Sequence, residues 1–480
     1  QIVPAAELPL RVAGADLVGA SGRVVKLRGV NWYGAYMEHH VNNGLDLLTL
    51  DEMAMAMLNL GMNSVRMNFG TQQFFDDRRV LEKYVKANPH LAGMTSMQIF
   101  DQCVHTLTRH GLLVILTNHV TADGWYYGTL NTGDSLWFNR QWSETRWLQM
   151  LQSIAGRFKD NARVVGVDLR NEVRPDTQDK RAWWFPWWGP LWGLQRWVVD
   201  WRKAAQEGSK AVWHGNAVAL VFVEGVWAVD LSTVMRKPMV FGQDCLKSRV
   251  VFSVHDYHFF DVWWKIVRII DDAGTQHVLQ RIRQLYKLVK LLALGTKVGD
   301  YGEFTADRYA SWGYLLRNDL APVWVGEFGG YRQPWLEYWI RHATQLDLDW
   351  SYWAIDGYKR HTGDAVEDEG WGLLTKDYRS VRRPDLLIAL TPMLATAGLQ
   401  NRSRERPGLC IFDPAVNPVA DLDGLAGVWS VQASARVAAV GLLVALLVAL
   451  RAARRSSRRR LRSPGPGGGL PTIWQRNAPA

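Results

Sequence analysis

From residue 24 to about residue 355 the chain repeats one pattern. A short run of β-branched and apolar residues is followed by a longer stretch with apolar positions at helical spacing. Strands buried on both faces read as continuous apolar runs, whereas the helices covering them keep one polar side. The alternation therefore predicts parallel strands joined by crossover helices. Eight runs qualify as strands: Val24–Val30, Ser64–Asn68, Leu112–Thr117, Val164–Leu169, Ala217–Val223, Val250–Val254, Pro322–Val325 and Trp350–Trp353. Eight such units in sequence predict an α/β fold, a (β/α)8 TIM barrel with insertions on the catalytic face.

Punctuation between the runs agrees. Thr49-x-x-Glu52 has the form of a capping box, and Gly61 stops that helix before the second strand. Thr95 or Ser96 caps the next helix, which Gly111 ends, and Pro384–Leu394 reads as a last helix on the barrel. Two connections are too long to be plain loops. Residues 176–201 carry seven tryptophans, and residues 261–303 mix apolar residues with Arg and Lys. Insertions after barrel strands lie at the open mouth, where they shape a cleft. The predicted layout is a barrel domain over 1–399, a linker over 400–427, a membrane-spanning or membrane-associated helix over 428–450 and a basic tail over 451–480. Val437–Leu450 is apolar but short of the ~20 residues of a span. Extension back to Val428 supplies the length and includes Gln432 and Arg436. The arginines that follow resemble a stop-transfer signal.

Charge reinforces this division. The formal net charge is +10, but seven arginines lie between Arg451 and Arg462, which leaves +3 on the rest. The basicity belongs to the tail, so it gives no reason to expect a nucleic-acid partner. Three cysteines are too few for a disulfide scaffold; a Cys245–Cys410 bridge is possible, and Cys103 fits a buried thiol in a helix. An opening Gln1 and the sequon Asn401-Arg402-Ser403 fit a processed protein of the secretory pathway, facing outward and anchored by the C-terminal helix. Tryptophan is over-represented at 25 residues, as suits a protein that stacks on the flat apolar faces of sugar rings.

Glycosidic bond cleavage needs one carboxyl to protonate the leaving oxygen and one carboxylate to attack or stabilise the anomeric carbon. In a barrel both belong at the C-terminal ends of strands. Glu172 follows the fourth strand in Asp168-Leu169-Arg170-Asn171-Glu172, and Glu327 follows the seventh in Val325-Gly326-Glu327-Phe328-Gly329. Those strands oppose each other across an eight-membered ring. Glu172 is expected to act as acid/base with its pKa raised towards ~6 by burial and by the charge of Glu327. Glu327 is expected to stay ionised as nucleophile, with Arg66 at the end of the second strand as its cation. No Cys-x-x-Cys or His-x-Glu metal set and no phosphate loop is present in the sequence, and no cofactor is expected.

Taken in order, Leu27-Arg28-Gly29-Val30-Asn31-Trp32, Ser64-Val65-Arg66, His119, Asn171-Glu172, His255-Asp256-Tyr257, Gly326-Glu327-Phe328-Gly329 and Trp353 resemble glycoside hydrolase family 5, the cellulase family, over residues 22–395. The resemblance implies that Arg66 holds the nucleophile and that His119 contacts the sugar. It implies that Asn171 binds the sugar 2-hydroxyl, that His255 and Tyr257 follow the sixth strand with Tyr257 donating to Glu327, and that Trp353 is a stacking platform. Many members have Pro after the acid, where this chain has Val173. Trp32, Trp125 and the tryptophans of 183–192 are further candidates for sugar contact. The expected activity is a retaining endo-β-1,4-glucanase acting on polysaccharide. The alternatives are a glycolipid-directed β-glycosidase, motivated by the apolar insertion and membrane helix, and an inactive membrane-tethered carbohydrate-binding protein.

Overall fold

The computed structural model describes residues 2–124, 134–174, 176–179, 182–189, 198–260, 299–361 and 364–419. Eight parallel strands close into one barrel in chain order: Arg28–Trp32, Ser64–Gly70, Leu113–Val120, Val164–Asp168, Leu220–Glu224, Val250–Asp256, Val323–Phe328 and Asp349–Tyr352. The expected (β/α)8 barrel is therefore the fold. Alternate side chains on each strand face the bore or the surrounding helices. The register sets Asn31 beside Arg66, Thr117 beside Asp168, and His255 beside Glu327.

One expected strand divides. Within Val24–Val30 the first part joins Arg23–Lys26, which pairs antiparallel with Asp16–Val18 and Gly398–Ser403; only Arg28 onward enters the barrel. An apolar run looks the same in either kind of sheet, so the sequence pattern merges the two strands. The four-stranded sheet closes the lower end of the barrel. Its Val12, Leu17 and Val25 pack in one apolar cluster with Leu113, Ile115, Val165, Leu220, Phe222, Val251 and Trp324. The lower bore is thus filled by an apolar plug.

The helices start where their caps predict. Thr49 accepts from the Glu52 amide at 3.2 Å while Glu52 accepts from the Thr49 amide at 2.8 Å. Thr95, rather than Ser96, caps the helix Ser96–Arg109, with Gln98 completing the box. That helix buries Ile99, Phe100, Cys103 and Leu107.

The expected linker from residue 400 requires correction over its described part. Arg402 and Arg404 both pair with Asp16, at 2.7 and 2.8 Å. Beyond them the chain is tied to the barrel domain by a Cys245–Cys410 disulfide, with Arg249 donating to the Cys410 carbonyl at 3.0 Å and the Gly242 amide to Asn417 at 2.7 Å. The stretch is polar because its partners are charged, which on composition alone resembles a solvated linker. The expected helix 428–450 and tail 451–480 lie outside the described residues, as does 261–298 of the basic insertion; among the described residues no helix is long and apolar enough to cross a membrane. The Trp-rich insertion contributes a three-stranded sheet from Asp176–Asp179, Ala182–Trp187 and Val198–Asp200.

The disulfide joins positions 165 residues apart. Closing so long a loop restricts the unfolded chain, worth about 2–5 kcal/mol. A Cys245→Ser, Cys410→Ser double variant should unfold at lower denaturant concentration by that margin. An unchanged midpoint would mean that the polar ties alone hold the strap.

Candidate active site

The upper bore is organised around one buried cation. Arg66 is fully buried. Its Nε and Nη2 donate to Asp168 Oδ2 at 3.1 and 2.8 Å, and Nη2 also to Asn171 Oδ1 at 2.9 Å. Its Nη1 donates to Asn31 Oδ1 at 3.1 Å and to Glu327 Oε1. Strand alternation makes this meeting possible, because Asn31, Arg66 and Asp168, on the first, second and fourth strands, all face the bore. Asn31 is fixed in turn by donating to the carbonyls of Gly326 and Tyr352, at 3.0 and 3.3 Å.

Glu327 is held from both sides. Arg66 donates to one oxygen, and the Tyr257 hydroxyl donates to the other at 2.8 Å. Burial, and then the Glu327 charge, push the Tyr257 pKa well above the ordinary tyrosine range, so it remains a donor. Glu172 lies across the bore, and one oxygen of each carboxyl comes within 4.8 Å of the other. Glu172 adopts φ +44°, a left-handed conformation that costs a residue with a Cβ of order 1 kcal/mol. Its neighbour Asn171 is held by its amide donating to the Asn118 carbonyl at 3.0 Å.

His255 joins the two carboxyls. Its Nδ1 lies 3.0 Å from Glu172 Oε1 and 3.5 Å from Glu327 Oε2. Its Nε2 faces a third buried carboxyl, Glu224, at 3.5 Å. Burial opposes charge on His255, but Glu224, Glu327 and the bond to Glu172 outweigh it and push its pKa up to about 9. Burial pushes Glu224 up to about 8 against the pull of His255 and Arg66.

These neighbours reverse the expected order of the two carboxyl pKa values. Burial raises Glu172, yet the bond and charge of His255, with Arg174 and Arg66, bring it below its ordinary value. Burial raises Glu327 despite His255 and Arg66, and the charge of Glu172 adds to the rise. The expectation of a raised Glu172 and a fully ionised Glu327 omitted a charged His255 and a third carboxyl beneath it. These directions favour the proton of the His255–Glu172 hydrogen bond on the imidazole side.

An aromatic wall flanks the pair. Trp353 stacks on Tyr33 at 5.0 Å and on His119 at 5.3 Å, and His119 stacks on Tyr36 at 4.5 Å. Burial, then Arg66 and Arg170, hold the His119 pKa well below the usual imidazole range, so the ring is neutral. Its Nδ1 lies 4.0 Å from Glu327.

The structure therefore gathers Arg66, His119, Asn171, Glu172, His255, Tyr257, Glu327 and Trp353 at one mouth. It does not place Trp32 there. Because Asn31 faces the bore, Trp32 faces the helices, fully buried, with its indole N–H donating to the Asn43 carbonyl at 2.9 Å. Trp188 and Trp201 are also buried, donating to the carbonyls of Lys237 and Glu224, each at 2.8 Å. Trp125 and Trp192 lie outside the described residues, as do the side chains of Trp183, Trp184 and Trp187. His39 and His40 are buried, with His40 3.0 Å from Asp123.

Sequence reasoning missed Asp168, Glu224, Tyr33 and Tyr36. Glu224 had a signal, since Phe222-Val223-Glu224-Gly225 ends the fifth strand just as Glu327 ends the seventh. Glu172, His255 and Glu327 come close enough together for a cation, but a cation there would compete with the Arg66 guanidinium already seated on Glu327.

A family model described as cellulase (glycosyl hydrolase family 5) matches residues 18–359. An endoglucanase of Paenibacillus polymyxa is 26% identical over 394 residues, covering 77% of this chain and 83% of that protein. The major extracellular endoglucanase of Xanthomonas campestris pv. campestris is 32% identical over 212 residues, 44% of this chain and 40% of that protein. The solved catalytic domain of the major endoglucanase from Xanthomonas campestris pv. campestris matches with a TM-score of 0.60 at 23% identity, covering 80% of this chain and 99% of that one. At that identity the likeness speaks to the barrel fold.

Removing the buried cation should leave Asp168 unpaired inside the bore. Arg66→Ala is expected to lose about 3–5 kcal/mol of stability in denaturant unfolding. A loss below ~1 kcal/mol would show that the cluster does not depend on the guanidinium.

Proposed function

The chain belongs to the cellulase family, glycosyl hydrolase family 5, and on that premise we propose that it is a retaining endo-β-1,4-glucanase. It is a glycoside hydrolase by family; the linkage, the mode of attack and the roles below are our reading. The observation that carries it is the carboxyl pair: oxygens of Glu172 and Glu327 within 4.8 Å, with Arg66 and Tyr257 both donating to Glu327. Retaining enzymes hold the two carboxyls about 5–5.5 Å apart, whereas inverting ones need about 6.5–9.5 Å to admit a water.

In this reading Glu327 attacks the anomeric carbon as Glu172 protonates the departing glycosidic oxygen. Glu172 then takes a proton from water, and the resulting hydroxide oxygen displaces Glu327 by attack on the face that the first leaving group vacated, opposite Glu327. Glu172 must carry a proton for the first step. Transfer across the 3.0 Å bond from His255 Nδ1 supplies it without changing the charge of the cluster. Arg66 and Tyr257 stabilise Glu327 both as attacking carboxylate and as leaving group. Asn171 is placed by Arg66 to meet the sugar 2-hydroxyl, a contact that strengthens as the oxocarbenium ion forms. Trp353 and His119 offer the flat face on which the reacting sugar lies.

A β-1,4-glucan substrate and endo attack are supported by the relatives that are endoglucanases. Export is supported by the extracellular relative. The apolar run of 428–450 and the arginines after it support a membrane-associated helix.

Glu327→Gln should remove turnover of soluble cellulose and mixed-linkage glucan while leaving the unfolding midpoint near that of the parent. NMR of the first product should show the β-anomer; an α-anomer would contradict the close-carboxyl geometry. Deleting residues 428–480 should release the protein from membranes with activity intact. Loss of folding would show that this segment belongs to the domain.

A further inference from the structure

Glu224 has no part in the scheme above, yet it is placed with care. It ends the fifth barrel strand, faces the bore and is fully buried. Neither of its carboxylate oxygens has a hydrogen-bond partner among the described residues, and neither has the His255 Nε2 that faces it at 3.5 Å. A buried carboxyl left this way is costly unless a neighbouring charge compensates it. The surroundings keep the approach open. Ser253, level with Glu224 on the next strand, leaves its hydroxyl unbonded among the described residues, and Gly326 provides the space. A Cβ at Gly326 would lie 2.9 Å from Ser253 Oγ and 3.3 Å from His255 Nε2. From above, the Trp201 indole fixes the end of the strand through the Glu224 carbonyl.

We propose that Glu224 is a positioning residue that acts through His255: its carboxylate holds the proton shared by His255 and Glu172 in place as the medium becomes alkaline. The claim rests on the assignment of Glu172 as the proton donor. Glu224, His255 and Glu172 form a line through the two ring nitrogens, with 3.5 Å on one side and 3.0 Å on the other. The other charged or titratable groups facing this line are Arg66 from the second strand, His119 from the third and Asp168 from the fourth. Arg174 follows Glu172, 3.6 Å from it, Glu327 stands on the seventh strand, and Tyr257, two residues beyond His255, donates to Glu327.

Arg66 is committed to Asp168 and Glu327 and stands 4.0 Å from Glu224. The imidazole is therefore the nearest cation that Glu224 can balance. The sign follows from the neighbours: burial raises Glu224 to about 8, and the charge of Glu224 is the first of those that lift His255 against its own burial, to about 9. The anion thus appears just where His255 would otherwise lose its charge. At mildly acidic pH Glu224 is neutral, and glutamine is a fair replica of it.

The test compares the full-length protein with Glu224→Gln and Glu224→Asp. One measurement is the pH profile of kcat/KM on soluble mixed-linkage glucan. The other is the titration of His255 by NMR on histidine-labelled protein, its signal identified by its absence from a His255→Asn variant. Glu224→Gln should keep kcat/KM within about threefold of the parent at mildly acidic pH. Its alkaline limb and its His255 midpoint should both fall by about one unit or more. Glu224→Asp should restore part of both. A uniform loss at all pH values with the His255 midpoint unmoved would overturn the proposal, because a merely structural role acts that way.

If Glu224→Gln does not fold, the parent titration decides: a His255 midpoint above neutrality supports the claim, and one at or below the ordinary ~6.5 overturns it. Normal turnover in Glu172→Gln and Glu327→Gln would sink the assignment of the carboxyl pair itself, while the His255 titration would still decide whether Glu224 holds the proton.

Discussion

The upper bore depends on the guanidinium of Arg66. Without a cation at that point, Asp168 and Glu327 would be two carboxyls buried near one another, and at least one would take a proton. Its planar fork meets four residues at once, Asp168, Asn171, Asn31 and Glu327, which come from the first, fourth and seventh strands or the turns after them. A lysine has neither the geometry nor the number of donors for this. The apolar plug beneath excludes water from below, so these bonds act in a medium of low polarity, where each has more effect than it would in water.

Around that fixed point the site is a problem of proton number. Glu172, Glu224 and Glu327 share a small buried volume with His255, and full ionisation of all three carboxyls would leave them undercompensated. The structure resolves this by keeping protons within the group. Which atom carries each proton depends on neighbours: His255 draws Glu172 down, while Glu172 and burial lift Glu327. A glycosidase of this kind needs the opposite arrangement at the moment of attack. The 3.0 Å bond between His255 and Glu172 allows that exchange over a short distance. Charge conservation within the cluster makes it a small step, in contrast to importing a proton from solvent into a buried site.

The barrel was legible because strands covered on both faces leave unbroken apolar runs, and eight of them appear in order. Glu172 and Glu327 were legible for a related reason: each follows such a run, where a barrel opens. The same logic failed at Trp32. Alternation along one strand sends Asn31 inward and Trp32 outward, and an aromatic residue in a recognised motif was read as lining the cleft. It failed differently at Val24–Val30, where two strands of different sheets abut with no turn signal between them. Residues 400–419 were misread because a polar strap bonded to buried arginines has the composition of a linker. Glu224 carried a signal at the end of the fifth strand's apolar run, but the pKa directions escaped for a deeper reason. They arise from side chains of several strands meeting in the bore, and the spacing along the chain carries no trace of that meeting.

Retention by double displacement requires Glu327 to form a covalent bond to the sugar. An activated 2-deoxy-2-fluoro-cellobioside slows the second displacement more than the first, so the adduct persists long enough for peptide mass mapping. One added disaccharide is expected, located on the peptide of Val325-Gly326-Glu327-Phe328 at Glu327. An adduct on Glu172 or Glu224, or turnover of the parent glucan with no adduct and inverted product, would contradict it.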